Sequence, residues 1–261
     1  SGVKKVNVGD FVVLHWMKGS GIQSETPVYE FKGQRINAGW VTTFNEYAVV
    51  SENRVTRIPA DSDMESSPLF GCAVTTGVGV VMNDADIKPH HTLVVYGCGG
   101  VGLFAVQAAK LMNPRQIIAV DINEDALSLA CEFGATTTIN ASTQNPVEIV
   151  KDLTEGKGAE RVIIVTGNKK AIETAIEMAS IPGECFQVGV PVVGETVSIN
   201  GHALMHKRNI SGSLGDVKIQ AASFLLGNET SNISGSSTGV QITTPSYFIG
   251  SGSSFISGSN G

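Results

Sequence analysis

The chain has 261 residues, enough for one large domain or two smaller ones with a real core. Its 24 acidic and 18 basic residues leave a formal charge of −6 and a pI near 5.4, which argues against nucleic acid or an anionic membrane as a main partner. Cys72, Cys98, Cys131 and Cys185 form no C-x-x-C pair, and Ser1-Gly2-Val3-Lys4-Lys5 lacks the apolar run of a signal peptide; both point to a reducing, cytoplasmic setting.

Residues 3–60 read as β-rich. Val6-x-Val8-Gly9-Asp10 predicts a strand ending in a turn, and Phe11 to His15 a short apolar strand. Lys18 to Gln34 reads as a loop. Thr43 to Val50 and Arg54 to Ile58 carry the β-branched and aromatic residues of strands, with Pro59 closing the second. From Asp61 the pattern predicts a helix through Leu69 to Val81, whose glycines, Gly71, Gly77 and Gly79, suit close packing or ligand approach better than isolated helix stability.

Thr92 to Asp121 is the most informative stretch: strand Thr92–Tyr96, the turn Gly97-Cys98-Gly99-Gly100-Val101-Gly102, helix to Met112, strand Gln116–Val120, then Asp121. The turn fits G-x-G-x-x-G, in which the first glycine turns the chain, the second lets a pyrophosphate approach the backbone and the third lets helix and strand pack closely. Asp121 lies about 19 residues beyond Gly102, near the spacing at which an acid accepts hydrogen bonds from a ribose. A carboxylate there would repel a 2′-phosphate, so NAD is expected over NADP. A lone glycine turn is weak as a signal, but here the flanking strand, helix and acid agree. The uncharged run Thr92–Ala109 could pass for a membrane span; its clustered glycines favour strand, turn and helix.

Alternation then continues: helix Asp125–Phe133 stopped by Gly134, strand Thr136–Asn140, helix from Asn145-Pro146 to Leu153, strand Arg161–Thr166, helix Lys169–Ala179, strand Glu184–Val190 and a last strand Asn209–Ser213. About six strands alternating with helices are the complement of a doubly wound parallel Rossmann sheet. Beyond Ser211, Ser, Gly, Thr and Asn dominate. Ser223–Gly227 and Asn232–Ser236 recur as Ser246–Gly250 and Phe255–Ser259, about 23 residues later, which suits either stacked β-coils or a flexible tail. The expected domains are residues 1–60, 61–215 and a repeat tail 216–261.

With these residues in view, the first 215 or so positions resemble the medium-chain zinc-dependent alcohol dehydrogenases. Val6-x-Val8-Gly9-Asp10 with Phe11-Val-Val, and Phe44-Asn-Glu-Tyr-Ala-Val-Val50, are similar to strands of the family's GroES-like catalytic domain. Gly71-Cys72-x-x-x-Thr76-Gly77-x-Gly79, the glycine turn with Asp121, Phe133-Gly-Ala-Thr136 and Val188-Gly-Val-Pro191 follow in family order. The resemblance implies an α/β fold: a partial β-rich GroES-like domain, a Rossmann sheet and the Ser/Gly-rich tail. It implies NAD held by Gly97, Gly99, Gly100, Val101, Gly102 and Asp121, with Val188, Gly189 and Val190 at the carboxamide end. Cys72 would be a thiolate ligand of zinc and Thr76 would pack beside the nicotinamide; taken alone, Cys72 would read as a small buried hydrophobe. The partner would be a small alcohol or aldehyde, and the last sheet strands would join copies edge to edge in a homo-oligomer.

Three departures accompany the resemblance. The other catalytic zinc ligands belong upstream of Gly9-Asp10, so an incomplete ligand set is expected. Lys18 to Gly39 holds none of the cysteines of a structural zinc lobe, and the repeat stands where a closing catalytic segment belongs. Ala126 occupies a position that is often basic. Among five histidines, only His202 and His206, at i and i+4, have metal-type spacing, and the reading there is surface histidines. The alternative to an oxidoreductase is a non-catalytic Rossmann module fused to a structural, fibre-like β-repeat.

Overall fold

A computed structural model describes residues 2–37, 39–214, 224–225, 230–231, 233–236 and 239–242. It divides into two compact units, one holding residues 1–72 with the strands beyond 223, the other Ala73–Gly215.

In the first unit β1 (Phe11–Leu14) pairs antiparallel with β4 (Val55–Ile58), and β2 (Val28–Phe31) with β3 (Gln34–Asn37). The β2–β3 hairpin lies inside the segment expected to be a loop. Its two-residue turn, Lys32-Gly33, has both φ positive, at 51° and 75°, the mirror-image turn that matches strand twist. Two expected strands do not form. Residues 3–7 form no strand, while the expected turn is present at Val8-Gly9, with the Asp10 carboxylate accepting the Asn7 N–H at 2.8 Å. The N-terminal segment is held instead by the Glu52 carboxylate, which accepts the N–H groups of Lys4, Lys5 and Ile22 at 2.5, 2.6 and 2.8 Å. Residues 43–50 lack a strand ladder, and the Val49 N–H donates to the Tyr29 hydroxyl at 2.8 Å. The expected helix from Asp61 starts later, as a 3₁₀ turn over Ser67–Gly71. At Gly71 a Cβ would lie 2.2 Å from the Leu14 carbonyl oxygen, so this glycine serves close packing.

In the C-terminal part β11 (Phe224–Leu225) pairs with β12 (Thr230–Ser231) and β13 (Ile233–Ser236) with β14 (Gly239–Ile242), both antiparallel. The second copy of the repeat, residues 246–259, lies outside the described residues.

The second unit opens with α1 (Ala73–Gly79), which runs into a wider turn over Val80–Asp84. There follow β5 (Thr92–Tyr96), α2 (Gly100–Met112), β6 (Gln116–Asp121), α3 (Glu124–Phe133), β7 (Thr137–Asn140), α4 (Pro146–Leu153), β8 (Ala159–Ile164), α5 (Lys169–Glu177), β9 (Ala179–Gln187), α6 (Gly201–Met205) and β10 (Asn209–Gly212). Six strands form one parallel sheet in the order β10-β9-β8-β5-β6-β7. This is the doubly wound Rossmann sheet that the alternation predicts. No helix among the described residues is long and apolar enough to cross a membrane.

Both faces of the sheet are covered, which explains the unbroken apolar runs of its strands. Val94, Ile118, Val162 and Ile164 face one way with Val150, Ile172 and Ile176 of α4 and α5. Leu93, Val95, Ile117 and Ile163 face the other with Ala105, Val106 and Ala109 of α2. β9 begins five residues before the expected Glu184: Ala179 pairs with Ala159, residues 180–183 bulge out, and pairing resumes at Glu184 opposite Arg161. Pro182-Gly183 therefore marks a bulge rather than a strand end. Side-chain caps set four helix starts, from Asn123, Asn145, Asn168 and Asn200.

Leu93 is completely buried, so Leu93→Ala should cost about 2–5 kcal/mol in urea denaturation. Ile122, 69% exposed at the end of β6, should tolerate alanine within about 0.5 kcal/mol.

Candidate functional site

β5 ends at Tyr96 and Gly97 turns the chain with φ at 101°, its N–H donating to the Val120 carbonyl at 2.8 Å. At Gly102 a Cβ would lie 1.8 Å from the Gly97 carbonyl oxygen, so α2 can start this close to the strand only with glycine there. Gly99 differs: it meets nothing within 4 Å and offers no capping side chain. The N–H groups of Gly100, Val101 and Gly102 have no carbonyl partner within the helix, and this end of a 13-residue helix stands open to an anion. The glycine turn thus divides its labour, Gly102 packing and Gly99 leaving room.

Asp121 joins the turn to the next strand. Its Oδ2 accepts the Cys98 N–H at 2.6 Å, while Oδ1 accepts those of Ile122 and Asn123 at 2.7 and 3.0 Å. Each carboxylate oxygen has two acceptor sites, so Oδ1 is filled and Oδ2 keeps one for a hydroxyl. The same carboxylate, with burial as the larger cause, pushes the Cys98 thiol up to about 12, and together they raise the Tyr96 hydroxyl.

A cleft of about 730 Å³ opens at the carboxyl ends of the strands. The chain runs outward from β5 through β6 to β7, then returns to β8 on the other side of β5, and such a switch point is where open α/β sheets bind ligands. Its walls include Gly97, Asp121, Ile122, the 141–146 loop, Asn168 and Lys170. Asn140 shapes that loop, its amide donating to Glu124 and its carbonyl accepting from the Ser142 N–H at 2.9 Å and hydroxyl at 2.6 Å.

Val188, Gly189 and Val190 follow β9, where backbone packs on backbone. A Cβ on Gly189 would fall 2.3 Å from the Thr166 carbonyl carbon, and one on Gly167 2.2 Å from the Val190 oxygen. The Gln187 amide ties them, donating to Thr166 and Gly189 carbonyls at 3.0 and 2.5 Å. Val188 packs into the core and Val190 is exposed. Thr76 lies half-buried on α1, whose Gly77 would bring a Cβ within 2.4 Å of the Val101 oxygen of α2. Cys72 is exposed and ends the 3₁₀ turn of the first unit. Among the described residues no three His, Cys, Asp or Glu side chains are placed to share a metal ion.

Of the residues lining the cleft, Gly97 and Asp121 carry a sequence motif, whereas Ile122, the 141–146 loop, Asn168 and Lys170 carry none. Their available signal was position: each follows a parallel strand or opens the next helix at the carboxyl edge.

A parallel sheet with an uncapped glycine turn, an acid closing the second strand and a cleft at the switch point defines a doubly wound α/β fold of the Rossmann type. The profile of the zinc-binding dehydrogenase family matches residues 100–223. S-(hydroxymethyl)glutathione dehydrogenase of Saccharomyces cerevisiae is 34% identical over 198 residues, covering 73% of this chain and 49% of that protein. The structure of benzyl alcohol dehydrogenase from Acinetobacter calcoaceticus matches with a TM-score of 0.60 at 33% identity, over 64% of this chain and 46% of that one. An alcohol dehydrogenase from the hyperthermophilic archaeon Aeropyrum pernix matches with a TM-score of 0.67 at 27% identity, over 82% of this chain and 63% of that one. The chain belongs to the medium-chain zinc-dependent alcohol dehydrogenase family, and it spans about half the length of the yeast relative.

Alkylation of the native chain by iodoacetamide at mildly alkaline pH should label exposed Cys72 and Cys131 and spare Cys98 and Cys185. Burial holds both protected thiols up to about 12, so little thiolate exists to react. Peptide mass mapping reads the pattern, and unfolding should bring all four into reach.

Proposed function

We propose that this chain supplies the cofactor-binding half of an NAD-dependent, alcohol dehydrogenase-type oxidoreductase, which moves hydride between a small alcohol and NAD to give an aldehyde or ketone. The observation that carries the reading is Asp121, which binds the glycine turn through one face of its carboxylate and lines the cleft with an acceptor site still open. The pyrophosphate would rest on the N–H groups of Gly99 to Gly102, in the space that a Cβ on Gly99 would fill. The adenosine ribose would donate to Asp121 Oδ2. Exposed Ile122 offers an apolar wall for adenine, and Lys170 supplies the cation that Ala126 does not. The negative charge of Asp121 disfavours a 2′-phosphate, so NAD is preferred over NADP. Val188 to Val190 would hold the carboxamide end of the nicotinamide and Thr76 would pack beside its ring, and the bound cofactor would supply a hydride acceptor for the carbinol carbon.

Zinc fits less well. Cys72 provides one thiolate of the expected set, and the other described residues do not gather round it as ligands. The residues in hand therefore support cofactor binding, and polarisation of the alcohol by zinc needs ligands beyond these. β10 forms an edge of the sheet, the place where strand pairing would join two copies.

Calorimetric titration with NAD⁺ and NADP⁺ tests the reading. NAD⁺ should bind at least tenfold more tightly than NADP⁺. Gly99→Ala is the informative variant, because φ there is −73° and its Cβ meets no protein atom. It should leave the thermal midpoint unchanged and weaken NAD⁺ at least tenfold. Unchanged affinity in Gly99→Ala would place the dinucleotide elsewhere, and tighter NADP⁺ binding would overturn the role given to Asp121.

A further inference from the structure

Outside the cleft, α6 brings two histidines together. The Asn200 side chain starts this five-residue helix by accepting the His202 N–H at 3.0 Å, and His206 closes it, its N–H donating to the His202 carbonyl at 3.3 Å. The i, i+4 spacing puts both rings on one face, with centroids 4.4 Å apart and planes tilted by 55°. Their Nε2 atoms are 3.2 Å apart, and both side chains are exposed. With both rings neutral, that contact is one Nε2–H donating to the other ring's lone pair.

We propose that His202 and His206 chelate a divalent transition ion of the zinc, nickel or copper class, at a site separate from Cys72. Imidazole nitrogens bind zinc at about 2.0–2.1 Å, so two of them at a tetrahedral angle on one ion stand about 3.3 Å apart. The observed separation already matches that bite, so the ion enters without backbone movement. The ring that donated its Nε2 proton takes the Nδ1–H tautomer through solvent, and both Nε2 lone pairs face the ion. Neutral imidazole suits zinc, copper and nickel, whereas magnesium and calcium take oxygen ligands. Because the rings are exposed, the remaining coordination positions are open to water or an external anion. The ion would cross-link the ends of one helical turn, the turn that delivers the chain into edge strand β10. A five-residue helix has little stability of its own, so such a clamp acts where it has most effect.

Ni²⁺ titration of the full-length chain without a purification tag tests this, followed by calorimetry and by thermal unfolding. The wild type should bind one equivalent of Ni²⁺ saturably and its thermal midpoint should rise as sites fill. His202→Ala and His206→Ala should each weaken that binding at least tenfold and abolish the rise, while Cys72→Ser should keep both and Mg²⁺ should reproduce neither. Binding that survives in either histidine variant, or that disappears in Cys72→Ser, would overturn the proposal, as would no saturable uptake by the wild type at millimolar Ni²⁺. NAD⁺ binding in the two histidine variants should be unchanged, which keeps this result independent of the cofactor site.

Discussion

The structure of the second unit turns on one carboxylate. Asp121 closes β6, yet its oxygens accept N–H groups from both sides, Cys98 in the preceding glycine turn and Ile122 and Asn123 in the segment that follows. Hydrogen bonds to a charged acceptor are worth about 1.5–3 kcal/mol each, so the turn, the strand end and the start of α3 form one rigid corner. A ligand that engaged the remaining acceptor site would meet a corner already organised around negative charge. Binding there would cost little ordering of the chain.

That corner is useful because of what surrounds it. The sheet is apolar on both faces, so its polar edge is where solvent and ligand have access, and the return of the chain from β7 to β8 opens the crevice there. Close approaches keep the frame tight: Gly102 on Gly97, Gly77 on Val101, Gly167 on Val190 and Gly189 on Thr166. Each is a place where a side chain would collide with backbone. Within the turn, Gly99 stands apart, because a Cβ there would meet no protein atom within 4 Å. Inside the turn this division follows the motif's spacing, open space at Gly99 and packing at Gly102, whereas the packing at Gly77 and Gly189 is visible only in the geometry.

The Rossmann core was legible because each local signal agreed with its neighbours. Apolar runs marked strands buried on two faces, Asn145-Pro146 and Gly134 punctuated helices, and Asp121 stood at the right distance from the turn. The less legible parts lacked that agreement. Thr43 to Val50 has strand composition, but Val49 bonds to the Tyr29 hydroxyl and residues 43–50 form no ladder. The β2–β3 hairpin was hidden in a polar segment whose Lys32-Gly33 turn requires positive φ that Lys does not advertise. The cleft walls at 141–146, Asn168 and Lys170 come together through sheet order, a long-range property with no local pattern. The α6 helix, with only five residues, is too short for periodicity to declare it, so the His202–His206 pair read as surface residues.

The central claim is that the uncapped turn and Asp121 act together as the dinucleotide site. The most direct measurement is the backbone amide NMR spectrum of the isotopically labelled chain, recorded with increasing NAD⁺. The account predicts that the amides of Gly99, Gly100, Val101, Gly102 and Ile122 shift together along one saturation curve, while those of Lys4, Lys5 and Ile22, bonded to Glu52, stay in place. Saturable shifts that leave the glycine turn untouched, or a spectrum that NAD⁺ does not change, would contradict it.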